Sequence, residues 1–124
     1  MIEKEIRVLI MEDMPFWGLM LGRELKKFGV SSDWVKNGIL GVDKVRKGSV
    51  DYHGIITDIQ MPLMDGIEAT RRIRELGFTK PIVGFSSMGE KEDINSGLAI
   101  GMNGYFRKSI DEKTIKDILS TLEI

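Results

Sequence analysis

The chain has 124 residues, 42% apolar and 30% charged, with 18 Lys and Arg against 19 Asp and Glu and a net charge of −1. That length suits one domain with a buried core, and the near-even charge offers no basic excess for nucleic acid. There is no cysteine and a single histidine, His53, which excludes disulfides, thiolate zinc sites, cysteine nucleophiles and two-histidine metal motifs.

Residues 1–124 show no repeat, low-complexity tract or linker and read as one domain. Acids lie within and just after the first apolar stretch, MIEKEIRVLIMED, so it is not a secretory signal. No apolar run approaches the roughly 20 residues of a membrane helix. A cytoplasmic protein without membrane or nucleic-acid contact is expected.

Ile6 to Met11 (IRVLIM) is too short for a helix and suits a buried strand. Pro15 opens a first helix with Phe16, Met20 and Leu21 at helical spacing, and Gly29 ends it. Ser32 to Val35 is a weak second strand. Asn37 caps a second helix running to about Lys47, stopped by Gly48. His53 to Thr57 forms the third strand, followed by the irregular loop DIQMPLMDG. Asp65 and Glu68 resemble an acidic capping box for a third helix, with Ile73 and Leu76 on its apolar face. Pro81 to Phe85 is strand four, and Glu90 to Ile100 a glycine-interrupted fourth helix. Tyr105 to Arg107 is a short fifth strand. Asp111 caps the last helix, where Ile115, Ile118, Leu119 and Leu122 fall on one stripe.

Strand–helix alternation of this kind predicts an α/β protein, a flavodoxin-like doubly wound parallel sheet of five strands in the order 2-1-3-4-5 with five helices. Ligands bind such sheets beyond the carboxyl ends of the strands, near the switch point between strands one and three.

The polar residues collect at that edge. Glu12 and Asp13 follow strand one, and Asp58 follows strand three, its predicted neighbour at about 4.8 Å. Three carboxylates so close repel one another unless a cation joins them, and hard oxygen ligands suit Mg²⁺. Ser86 follows strand four and Lys108 strand five. The metal and Lys108 can neutralise a phosphoryl group, Ser86 can donate a hydrogen bond to it, and the Asp58 carboxylate can be its acceptor.

The segments VLIMED, IITDIQMPLMDGIEATRRIRE, PIVGFSS and GMNGYFRKSI resemble the receiver domain of two-component response regulators, over essentially the whole chain. The resemblance implies that Asp58 is the phosphoacceptor. It implies Asp13, Asp58 and the backbone carbonyl of Gln60 as direct Mg²⁺ ligands, with Glu12 acting through water. Ser86 takes the switch-hydroxyl position, Lys108 that of the phosphate-pairing lysine, and Tyr105 that of the aromatic which changes rotamer on activation. The implied donor is a histidine kinase or a histidine phosphotransfer domain. The implied output is a partner surface on helix four, strand five and helix five. Such a protein is a switch that gains and loses its own phosphoryl group, and not an enzyme on a separate substrate. One departure is Ser109, where the family usually has a proline in a cis peptide. It implies either a trans, reshaped loop or a strained bond, and puts the reach of Lys108 in question.

Two other classes compete. A receiver fold could dock a partner without phosphorylation, a reading to which only Ser109 leans. An aspartyl-phosphate phosphatase would need an acid where Gln60 stands, and an FMN protein a Gly/Ser/Thr-rich loop where the chain has EDMPF. Among the remaining conspicuous residues, His53 begins strand three at the end away from Asp58 and reads as structural. Trp17, near the start of helix one and close to the acids, could flank the site but reads first as packing. Trp34 on the edge strand reads as half-exposed with no further role, and Arg71, Arg72 and Arg74 read as a solvated helix face. Gly18, Gly22 and Gly97 inside helices cost about 1 kcal/mol each against alanine, with no reason visible in the sequence.

Overall fold

The computed structural model describes residues 5–87 and 91–124, and the side chains of all of these but 91 and 92. Its elements run β1 (Ile6–Met11), α1 (Pro15–Lys26), β2 (Val30–Val35), α2 (Gly38–Lys47), β3 (Gly54–Thr57), α3 (Gly66–Glu75), β4 (Ile82–Ser86), α4 (Lys91–Ala99), β5 (Gly104–Arg107) and α5 (Glu112–Thr121). The strands form one parallel sheet in the order β2-β1-β3-β4-β5, as the alternation predicts.

The sheet is covered on both faces, so the central strands are mostly apolar, with Arg7 near the start of β1 and Thr57 and Ser86 at the carboxyl ends of β3 and β4. Alternation of side chains divides β1 between two cores. Val8 and Ile10 join Ile56, Val83 and Phe85 under Leu21 and Leu25 of α1 and Ile115, Ile118 and Leu119 of α5. Leu9 and Met11 join Ile55 and Ile82 on the other face, under Val42 of α2 and Ala69 and Ile73 of α3. Each fully buried aliphatic side chain contributes roughly 1.5–3 kcal/mol.

Caps set the helix starts. Asn37, Asp65 and Asp111 accept the N–H groups of Leu40, Glu68 and Thr114. The predicted capping box at α3 is half formed: Glu68 turns its carboxylate to Arg71 and Arg72 and does not reach back. Gly48 closes α2 in the left-handed region at φ 64°.

Four boundaries or faces differ from the sequence expectation. The second strand starts at Val30, two residues before Ser32, because β1 pairs with it along its whole length. His53 lies just outside β3 but still donates its backbone N–H to the Arg7 carbonyl at 2.8 Å. Leu76 is 45% exposed at the C-cap of α3, where the helix has stopped and its apolar stripe no longer applies. Phe16 is 56% exposed, and Trp17 takes the inward place in the first turn of α1. The predicted start of the fourth helix at Glu90 lies outside the described residues. No helix among the described residues is long and apolar enough to cross a membrane.

The interior glycines acquire reasons. A Cβ on Gly18 would stand 2.5 Å from the Trp34 ring, one on Gly97 2.7 Å from Met102 Sδ, and one on Gly22 3.0 Å from Ser32 Oγ. Helix α1 gives up propensity for close approach to β2, and α4 for close approach to Met102 just ahead of β5.

Candidate functional site

The site stands on the carboxyl ends of β1, β3, β4 and β5, where strands stop and loops begin. The Asp58 N–H donates to the Met11 carbonyl at 2.8 Å, which ties the end of β3 to the residue before Glu12. On the other side, the Glu12 N–H donates to the Val35 carbonyl at 3.0 Å, holding the acid pair to β2. Glu12, Asp13 and Asp58 each bring a carboxylate oxygen within 4.8 Å of the others. Glu12 and Asp58 are buried and Asp13 half-buried.

Lys108 closes the cluster. Its ammonium lies 2.6 Å from Glu12 Oε1 and 3.0 Å from Asp58 Oδ2, with its side chain 2% exposed. Its backbone N–H donates to the Ser86 carbonyl at 3.0 Å. The Lys108–Ser109 peptide is trans. The lysine nevertheless reaches the acids, which answers the question raised by the serine. The remaining oxygens have local donors: the Ile59 N–H to Asp58 Oδ1 at 2.7 Å and the Met14 N–H to Glu12 Oε2 at 3.1 Å.

Burial pushes the Glu12 carboxyl up to about 7, against Lys108 and the Met14 N–H, which favour its charge, while the Asp58 carboxylate adds to the rise. Burial pulls the Lys108 ammonium down, but the two carboxylates more than offset it and its net shift is upward. The lysine therefore keeps its charge, while burial draws the Glu12 carboxyl toward its neutral form despite the ammonium beside it.

A cleft of about 190 Å³ opens over this cluster, lined by Asp13, Met14, Asp58, Gln60, Ser86, Ser87 and Lys108. Ser86 is buried at its wall, and the Tyr105 hydroxyl donates to the Ser86 carbonyl at 3.4 Å. Every site residue expected from sequence therefore lies in or against one cleft. Three hard carboxylates converging on an open polar space fit a small divalent cation that keeps several waters, as Mg²⁺ does. Asp13 and Asp58, with the Gln60 carbonyl on the same rim, are the residues that would hold it.

Two tryptophans also belong to the site: Trp17, which from sequence reads first as packing and second as a flank of the site, and Trp34, for which the sequence predicts no role. The Trp34 indole N–H donates to the Glu12 carbonyl at 2.7 Å, so an edge-strand ring steadies the acid-bearing loop. The Trp17 ring stands 5.6 Å from the Lys108 ammonium. Neither pairing has a sequence signal, because each joins residues far apart in the chain. The three-arginine cluster also divides. Arg71 and Arg72 pair with Glu68 on the surface of α3. Arg74 turns inward and donates to the carbonyls of Phe78, Lys80 and Gly101, tying α3 to the entry of β5. His53 accepts the Arg7 N–H on Nδ1 at 3.3 Å, a structural role at the opposite end of the sheet.

Comparison with known proteins agrees with this fold. The sequence profile of the response regulator receiver domain matches residues 8–120. The two-component response regulator ORR41 of Oryza sativa subsp. japonica is 36% identical over the whole chain and 99% of its own length. The sensor protein EvgS of Escherichia coli (strain K12) is 33% identical over 98% of this chain, which corresponds to 10% of that protein. Among solved structures, the receiver domain of a Pseudomonas aeruginosa sensor histidine kinase, described with a magnesium ion in its active-site cleft, superposes with a TM-score of 0.83. It is 28% identical and covers 96% of this chain, which spans 98% of that one. The Vibrio cholerae chemotaxis protein CheY4 shares the fold, with a TM-score of 0.85 at 24% identity over 96% of this chain and 99% of its own.

Proposed function

The chain belongs to the response regulator receiver family of two-component signalling, and on that premise we propose that Asp58 accepts a phosphoryl group from phosphohistidine of a histidine kinase or a histidine phosphotransfer domain. The family is a phospho-switch and not a conventional enzyme. The observation that carries the assignment is the convergence of three carboxylates within 4.8 Å, with Lys108 bridging two of them.

In the transfer, an Asp58 carboxylate oxygen attacks phosphorus in line with the departing histidine nitrogen. The P–N bond breaks, the imidazole leaves with its electron pair and picks up a proton, and an acyl phosphate remains on Asp58. Asp13, Asp58 and the Gln60 carbonyl, with Glu12 acting through water, would hold Mg²⁺, and the ion would supply charge neutralisation for the phosphoryl oxygens. Lys108 moves its ammonium from Asp58 Oδ2 to the incoming group, which carries about −1.5 to −2 charge at neutral pH. Ser86 turns its hydroxyl toward the same oxygens, and Tyr105 fills the space it leaves. That rearrangement repacks the surface of α4, β5 and α5 for a downstream partner. Swinging such a switch from 1:99 to 99:1 takes about 5.5 kcal/mol of differential stabilisation, within reach of several charge-assisted contacts.

Labelling with acetyl phosphate tests the assignment. Asp58→Asn is expected to abolish Mg²⁺-dependent labelling, and retained labelling would place the acceptor elsewhere. Wild-type protein that binds Mg²⁺ but takes no label from any donor would instead be a docking module that works without phosphorylation.

A further inference from the structure

Lys108 faces a problem that its ion pairs do not solve. In the resting site both partners of its ammonium are carboxylates, Glu12 at 2.6 Å and Asp58 at 3.0 Å. Both are groups that a bound cation and an incoming phosphoryl group would claim. At that moment the lysine must leave Asp58 Oδ2 without swinging out to water. Its loop supplies no ring constraint, since Ser109 follows it and spends its hydroxyl on Asp111 at 2.6 Å.

One contact does not depend on the acids. The Trp17 ring stands 5.6 Å from the Lys108 ammonium. That ring is itself fixed, edge-on to Phe85 with centroids 5.8 Å apart at 81°, and to Phe16 at 5.2 Å and 85°. Phe85 is 1% exposed and immediately precedes Ser86 on β4, so the ring is referenced to the strand that carries the switch hydroxyl. Tryptophan has the most electron-rich face of the aromatic side chains, and its attraction for an ammonium grows when water is excluded, as it is around Lys108.

We propose that Trp17 is a positioning residue for phosphoryl transfer: its indole face holds the Lys108 ammonium over the cleft while Asp58 passes from carboxylate to acyl phosphate. The inference rests on the phosphoacceptor reading of Asp58 and adds the residue that keeps its cation in place. Packing alone would ask only for apolar volume between α1 and Phe85. Positioning through the ring face asks for an aromatic.

The test uses the full chain. Trp17→Leu keeps apolar volume and removes the face, while Trp17→Phe keeps a weaker face. Acetyl-phosphate labelling at saturating Mg²⁺ is expected to slow by about 5- to 30-fold in Trp17→Leu and to recover in part in Trp17→Phe. The second readout needs no turnover. Proton NMR of protein labelled in its lysines should show the Lys108 ε-methylene shifted upfield by the indole ring current. That shift should persist in Asp58→Asn and vanish in Trp17→Leu. Equal rates in the leucine and phenylalanine variants, or no ring-current shift in the wild type, would overturn the proposal. Should Trp17→Leu not fold, the wild-type shift and the Trp17→Phe rate decide alone. Failure of the wild type to label at all would count against the phosphoacceptor reading and leave the ring-current result standing on its own.

Discussion

At Ser109 the hydroxyl donates to the Asp111 carboxylate at 2.6 Å and accepts the Asp111 N–H at 3.2 Å. Asp111 in turn accepts the Thr114 N–H at 2.7 Å as the cap of α5. The Ser109 hydroxyl first, and the Thr114 N–H after it, hold the Asp111 carboxyl below the usual aspartate range. A carboxyl with a depressed folded pKa contributes stability at neutral pH that is lost as pH falls through that pKa. Ser109→Pro removes the hydroxyl, so the Asp111 carboxyl should titrate closer to its ordinary value, about 3.9, when followed by carboxyl-carbon NMR. An unmoved midpoint would show that the cap alone holds the charge. Gly18 offers a second test at this scale. An added Cβ would meet the Trp34 ring at 2.5 Å, and that ring is held by its 2.7 Å bond to the Glu12 carbonyl. Gly18→Ala gains helix propensity, so an open site would make it stabilising. The contact makes it an overpacking change instead, expected to cost roughly 1–3 kcal/mol in urea unfolding. It should also weaken Mg²⁺ binding through displacement of the acid loop.

The junction between β3 and α3 joins site to scaffold. Gly66, the first residue of α3, donates its N–H to the Ile59 carbonyl at 2.7 Å. A Cβ there would run into the Asp58 carbonyl oxygen and approach Thr57 Oγ1 to 2.9 Å. Because the nearest obstacle is backbone, no side-chain rotation relieves it, and Gly66→Ala should cost at least as much as Gly18→Ala and reduce labelling at Asp58. Wild-type stability and rate in that variant would mean the loop can shift without disturbing the acid. The elements that were plain in sequence are those with one-dimensional signals. The strands β1, β3 and β4 are short, mostly apolar runs because both faces of the sheet are covered. The caps Asn37, Asp65 and Asp111 announce α2, α3 and α5. The site was legible for a related reason: Glu12, Asp13, Asp58, Ser86 and Lys108 lie at or just beyond the ends of strands, and parallel topology alone brings those ends together. Where recognition depends on which side chain faces which across the fold, the sequence was silent. The start of β2 is set by pairing with β1, and Leu76 kept a helical spacing that the C-cap cancels. Gly18 against Trp34, Arg74 against the Gly101 carbonyl and Trp17 against Lys108 are all pairings across elements.

Across the whole molecule the charges nearly cancel, at −1 overall, yet the cleft gathers three carboxylates against one lysine. A fold that concentrates like charge in a mostly buried corner is less stable there than it need be, and the deficit is recovered when a cation binds. Asp13 is the place to measure this, since it belongs to the acid cluster and makes no ion pair with Lys108 among the described contacts. Asp13→Asn keeps the size of the side chain and removes one charge from the cluster. Without metal, relief of the repulsion should raise stability by about 1 kcal/mol, an estimate for charges a few ångströms apart in a partly solvated site. With metal, the order should reverse. Ligand linkage stabilises the wild type by about 2.7 kcal/mol when Mg²⁺ stands at 100 times its dissociation constant, and a variant that binds poorly gains little of this. Thermal melts of both proteins in EDTA and in a Mg²⁺ series should therefore cross, the variant melting higher in EDTA and lower in excess Mg²⁺. Parallel curves would mean that Asp13 does not hold the ion. A wild type indifferent to Mg²⁺ would mean that Lys108 alone balances the acids, and the cation would then have no part in the resting fold.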